Sequence, residues 1–181
     1  MKIFYVHHAL RDIGNPPSPD DGLKKLGVKD AKNTAKLFEG LTKKLKFKAI
    51  YTSPFFRCAK TAKLINKQLN LPIIEDARFN EFFDVMSAVK HPLLPTEKES
   101  WEQCQTRIIN ALEDIVNKYN DDDAVICVTS GVNITAFVCV AYGVLPSNNN
   151  PFPMVPSCSP VGFDINKDCF KKLKALKANK K

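Results

Sequence analysis

The feature that most constrains this chain is a set of short apolar runs separated by stretches with helical periodicity. Lys2–Val6, Phe47–Thr52, Leu71–Glu75, Ala124–Val128 and Val161–Ile165 are five or six residues each and rich in β-branched and aromatic side chains, as strands are. Between them the spacing predicts helices. Asp30–Leu41 repeats Ala31, Ala35, Phe38 and Leu41, and Cys58, Ala62, Ile65 and Leu69 follow the Ser53-Pro54 start. Trp101, Cys104, Ile108, Leu112, Ile115 and Tyr119 form the cleanest stripe, and Ile134, Phe137, Val138 and Ala141 another. Strands that alternate with helices argue for an α/β sandwich with a mostly parallel sheet. Ala124–Val128, apolar at every position, reads as a strand buried on both faces, and Val161–Ile165 as a last, edge strand. Residues 9–22, with Gly14, Pro16, Pro17, Pro19 and Gly22, read as a loop, and residues 77–99 fit no element.

At 181 residues, with 44% hydrophobic and 25% charged, the chain suits one globular domain. A domain of this size buries about 70% of its unfolded surface and needs neither disulfides nor metal to hold a core. Disorder, a fibre and a disulfide-stapled miniprotein are excluded. No apolar run approaches the ~20 residues of a membrane span, so a soluble, leaderless and cytoplasmic protein is expected. Residues 1–166 are read as the single domain and 167–181 as a lysine-rich tail.

The net charge of +8 is uneven: residues 1–67 hold 15 Lys/Arg against 5 Asp/Glu, residues 68–166 hold 5 against 13, and the tail 7 against 1. Lys24, Lys25, Lys29, Lys32 and Lys36 fall at helical spacing, as on a solvated face, so the surplus does not call for nucleic acid. A basic half beside an acidic one remains compatible with an anionic small molecule. Six cysteines lie in apolar segments without a C-x-x-C pair, which suits reduced, buried thiols and gives no zinc signature. The sequence is silent on oligomeric state.

In such sheets ligands collect beyond the carboxyl ends of the strands. Three segments fall there: His7-His8, Thr52-Ser53 with Arg57, and Thr129-Ser130-Gly131. An imidazole, a guanidinium and helix N-termini at one edge make an anion site. Other phosphate chemistries fail on sequence. Gly22-(x4)-Gly27 continues as Val28-Lys29-Asp30 rather than G-K-[ST], and G-x-G-x-x-G does not occur. No cysteine has an arginine six residues on, and Val128-Thr129-Ser130-Gly131-Val132 lacks the first glycine of a nucleophile elbow.

The ordered segments resemble the histidine phosphatase superfamily, whose fold is the phosphoglycerate-mutase-like three-layer α/β/α sandwich. Ile3–Ala9 resembles the family's strand and R-H-G motif. Thr52-Ser53-Pro54-Phe55-Phe56-Arg57-Cys58-Ala59-Lys60-Thr61-Ala62 resembles its S-S-P-x-x-R-A-x-Q-T-A and is the most specific match. Arg78-Phe79-Asn80-Glu81 is similar to its L-x-E element, and Val125–Gly131 to its late strand with S-H-G. The resemblance, over roughly residues 1–165, implies a phosphomonoesterase acting through a phosphohistidine intermediate. In it His8 is the nucleophile, Glu81 the general acid and base, and Arg57 the holder of the equatorial oxygens; no metal or other cofactor is implied. The expected ligand is a small phosphorylated substrate or a phosphate ion, with neither nucleic acid nor membrane as partner.

Two positions depart from the pattern: His7 stands where the family has arginine, and Ser130 where it has a second histidine. Both are assigned to phosphate binding, as weaker donors. Losing a preorganised donor costs about 100–1,000-fold in rate. The chain is therefore either a slow or specialised phosphatase, or a catalytically impaired pseudo-phosphatase that binds a phosphorylated ligand or has a regulatory role. Arg11 and His91 are candidate replacement donors. A mutase is disfavoured because the chain lacks insertions to cover a larger sugar phosphate, and Phe82, Phe83 and Met86 suit either an apolar pocket wall or the core.

Overall fold

A computed structural model describes residues 1–14, 20–82, 99–142 and 155–169, with residues 139–142 as backbone only. The strands are β1 (Lys2–His7), β2 (Lys46–Thr52), β3 (Ile73–Glu75), β4 (Asp123–Thr129) and β5 (Pro160–Asp164). Among the described residues the helices are α1 (Lys25–Leu41), α2 (Phe56–Asn66), α3 (Trp101–Lys118) and α4 (Gly131–Tyr142), and a 3-10 turn lies at Ala77–Phe79. The sheet order is β3-β2-β4-β1-β5, parallel throughout except for β5, which closes the edge antiparallel to β1.

Side-chain alternation along the central strands creates the two apolar interfaces. Tyr5, Ala49, Tyr51, Val125 and Cys127 join Cys104, Ile108, Leu112 and Ile134 on the α3/α4 side. Val6, Ile50, Ile126 and Val128 meet Phe38, Cys58, Ala62 and Ile65 on the α1/α2 side. All seven residues of β4 are buried, as its unbroken apolar run requires. Helices on both faces of a mostly parallel sheet make the expected three-layer sandwich. Among the described residues no helix is long and apolar enough to cross a membrane.

Two helix boundaries differ from expectation. Helix α1 begins at Lys25, five residues before Asp30, with no side-chain cap. Its first turn is anchored by tertiary pairing instead: the Lys24 N–H donates to the Leu10 carbonyl (3.0 Å), and Arg11 bridges Leu23. Gly27 permits that approach, since a Cβ there would lie 2.5 Å from the Leu10 carbonyl oxygen. Helix α2 ends at Asn66, so Leu69 lies beyond it. The Asn66 side chain exchanges two hydrogen bonds with the Leu71 backbone, and Asn70 takes φ 50°. Capping is regular in α3, where Ser100 and Gln103 form a reciprocal capping box.

The five lysines singled out near α1 are all exposed, while Cys58, Cys104, Cys127 and Cys158 are buried free thiols. Burial pushes the Cys58 and Cys104 thiols up to about 12, so neither offers a thiolate at neutral pH. Lys167–Cys169 forms a helical turn in which Asn166 accepts from the Cys169 N–H, and Cys169 packs on the core.

Candidate active site

The carboxyl ends of β1, β2 and β4 bring the three sequence segments to one crevice. His8 follows β1 and is buried, with its N–H donating to the Thr129 carbonyl at the end of β4 (2.9 Å). Ala9 N–H donates to Thr61 Oγ1 (3.0 Å), whose own hydroxyl donates to the Arg57 carbonyl (2.6 Å). Thr61, within the motif match, therefore ties the histidine segment to the helix that carries the guanidinium.

The His8 ring has a defined tautomer. Its Nδ1 lies 2.9 Å from the Ala9 carbonyl oxygen, which can only accept, so Nδ1 carries the proton. Nε2 then holds the lone pair and accepts from Arg57 Nε at 3.2 Å. Burial, followed by the neighbouring His7 and the Arg57 charge, holds His8 well below the usual imidazole range. The ring is neutral at pH 7, and the lone pair on Nε2 faces the guanidinium.

Arg57 is fully buried and its charge is met on several sides. Nη2 donates to Glu81 Oε2 at 2.5 Å, and the guanidinium lies 4.9 Å from the centroid of the Phe55 ring. Glu81 is presented by a strongly braced segment. Asn133 Nδ2 approaches the Phe79 carbonyl (2.9 Å), the Asn80 carbonyl (2.6 Å) and Thr129 Oγ1 (2.9 Å). Ser53 Oγ donates to Asn80 Oδ1 (2.6 Å), and Arg107 donates to the Arg78 and Glu81 carbonyls. Sequence reasoning missed Asn133 and Arg107. The available signal was an amide among the mostly apolar residues that open α4, and the structure buries it completely.

His7 packs against His8, ring centroids 4.5 Å apart and planes at 72°. Its Nδ1 donates to the Val155 carbonyl at 2.6 Å, so in the neutral ring Nε2 is again the acceptor. Burial lowers its pKa, with the Val155 carbonyl and Glu81 opposing that shift. The ring depends on Gly131: a Cβ there would stand 3.2 Å from His7 Cε1 and 3.5 Å from Nε2. Gly131→Ala is expected to press the His7 ring aside by a few tenths of an ångström and, if that ring contacts phosphate, to weaken phosphate binding several-fold with little loss of melting temperature. Phosphate titration followed by thermal melting checks it; unchanged affinity would count against a role for His7 in binding phosphate.

Ser130 immediately precedes α4. Its Oγ accepts from the Asn133 N–H (3.4 Å) as a helix cap, which leaves the hydroxyl proton as a donor at the positive end of the helix. Arg11 stands nearby on the loop after β1, close enough for its charge to disfavour protonation of both imidazoles. Its Nη1 is 3.6 Å from Asp21 Oδ2, and both atoms are buried without a hydrogen bond. Phe82 packs on Trp101 and the core, as one of its two readings had it. Phe83, Met86 and His91 lie outside the described residues. Among the described residues no group of three or more His, Cys, Asp or Glu side chains is arranged to hold a metal.

An imidazole bonded to a buried guanidinium, with a braced carboxylate, at the carboxyl edge of an α/β sandwich defines the class, and the chain belongs to the histidine phosphatase superfamily (branch 1). The family's sequence pattern matches residues 16–91 and 82–177. A protein of Hydrogenobacter thermophilus named "Putative phosphoserine phosphatase 2" is 30% identical over 169 residues, covering 79% of each chain. Bacillus stearothermophilus YhfR has the same fold at TM-score 0.72 and 21% identity, covering 92% of each chain. The protein histidine phosphatase SixA, solved with tungstate, superposes at TM-score 0.67 and 15% identity, over 93% of this chain and 91% of its own.

Proposed function

We propose that this protein is a metal-independent phosphomonoesterase that works through phospho-His8. In the first step Arg57 turns from His8 and Glu81 to the phosphoryl oxygens, His8 Nε2 attacks phosphorus, the P–O bond to the alcohol breaks, and Glu81, protonated once its cation has turned to the ligand, gives the leaving oxygen its proton. In the second, the Glu81 carboxylate takes a proton from water, whose oxygen displaces Nε2 and releases phosphate. Arg57 is assigned the equatorial oxygens, where charge is spread in the transition state. His7, Ser130 and Arg11 complete the cradle as phosphate ligands. The observation that carries this reading is the tautomer of His8, with Nδ1–H spent on a backbone carbonyl and Nε2 beside the guanidinium. Incubation with 4-nitrophenyl phosphate tests it: release of nitrophenolate that is lost in His8→Asn supports the reading, and no release between about pH 5 and 8 opposes it.

A second reading, a catalytically impaired phosphate binder, is favoured by one observation. Arg57 is already engaged by the Glu81 carboxylate, and the residues at 7 and 130 are neutral donors or acceptors rather than fixed cations. The two readings part on one double variant. His7→Arg with Ser130→His is expected to raise turnover by about 100-fold or more, on the scale of the donors regained. In a slow phosphatase that gain starts from a measurable rate; in an impaired binder it starts from none, although phosphate already raises the melting temperature. A double variant that binds phosphate yet stays inert counts against both.

A further inference from the structure

We propose that this site takes its phosphoryl ligand together with one proton, held on His7 Nε2, so that it selects singly charged, protonated phosphoryl groups over dianions. The inference rests on the phosphate-site reading above and adds to it a ligand charge state and the residue that sets it. The argument starts from the hydrogen-bond polarity of His7. Its Nδ1–H is committed to the Val155 carbonyl, so the neutral ring turns a lone pair, not an N–H, toward any ligand at Nε2. A phosphate oxygen there would meet acceptor against acceptor. One proton between them removes the conflict, whether it arrives on the ligand or is taken up by the ring, since both routes give the same complex.

The charges around His7 point the same way. Among the described residues, the groups acting on it are His8 from its own chain segment, Arg57 from α2, Glu81 from the segment after the 3-10 turn, and Arg11 from the loop after β1. Arg57 is paired with Glu81, and Arg11 stands beside Asp21, so each cation has a carboxylate next to it. The Ser130 hydroxyl adds a neutral donor. A dianion therefore enters a site with little net charge, and one added proton halves its uncompensated charge. His8 is the poorer place for that proton, because its Nε2 already accepts from Arg57 Nε and a proton there would face the guanidinium N–H.

Sulfate tests this directly, since it stays a dianion across the neutral range and brings no proton of its own. Its Kd, measured by calorimetry from about pH 5.5 to 8, is expected to rise about tenfold per pH unit above the free-site value of His7, the slope for one linked proton. Calorimetry in two buffers of different ionisation enthalpy is expected to show uptake of about one proton per sulfate on that slope. His7→Arg is expected to bind sulfate without pH dependence, and His7→Gln weakly and without pH dependence. Glu81→Gln is expected to keep the slope. A flat Kd in the unsubstituted protein, or a slope that survives His7→Gln and vanishes in Glu81→Gln, overturns the inference while leaving the phosphate site in place. No binding of sulfate or phosphate at any pH, in the unsubstituted protein and in His7→Arg, overturns the phosphate-site reading and this inference with it.

Discussion

His8→Asn is expected to abolish turnover of aryl phosphates, by at least about a thousandfold, while phosphate still raises the melting temperature. The reasoning is chemical. Asparagine can keep the backbone link to Thr129 and part of the ring's volume, but it has no lone-pair nitrogen able to accept phosphorus. The second displacement then has no intermediate to act on. Steady-state kinetics with 4-nitrophenyl phosphate and thermal melting with and without phosphate check the two halves separately. A variant that retains more than about a tenth of the rate contradicts a covalent role for this ring.

Arg57→Met is expected to lower kcat/KM by about 100–1,000-fold and to weaken phosphate binding at the same time. Arg57 has no exposed surface, so its guanidinium is held in one place by Glu81, His8 and the Phe55 ring. Removing it leaves the Glu81 carboxylate, which is only 10% exposed, without its cation. Breaking a buried pair by deleting one partner costs about 3–5 kcal/mol, so a lower melting temperature is expected too. The double variant Arg57→Met with Glu81→Gln should recover much of that stability and none of the activity. Recovery of both would place Arg57 in the scaffold rather than against the ligand.

The sandwich was legible because its strands and helices are each locally consistent. β4 could be read from five consecutive apolar residues, and α3 from a stripe that holds its period from Trp101 to Ile115. What local pattern missed was set by distant partners. The first turn of α1 has no cap of its own and is held by Leu10 and by the clearance at Gly27. The early end of α2 follows from Asn66 reaching Leu71, which no hydrophobic period encodes.

At the site, the motif spacing brought His8, Arg57 and Glu81 to attention, and hydrogen bonds join all three. Their protonation could not be read from the sequence. The His8 tautomer depends on a carbonyl one residue along, and that of His7 on Val155, 148 residues away. Nor was the bracing of Glu81 legible, since Asn133 reaches across 53 residues of chain to bond the Asn80 carbonyl. One buried amide in a mostly apolar helix carries that information only once the fold is known.

The central claim is that phosphorus passes through one imidazole nitrogen. Rapid mixing with 4-nitrophenyl phosphate, an alkaline quench and peptide mass spectrometry tests it most directly. A phosphoryl group on the peptide containing His8, mapped to that residue and missing from His8→Asn, is the predicted result. Turnover with no modified histidine, or a phosphoryl group found on another side chain while His8 stays bare, would contradict it.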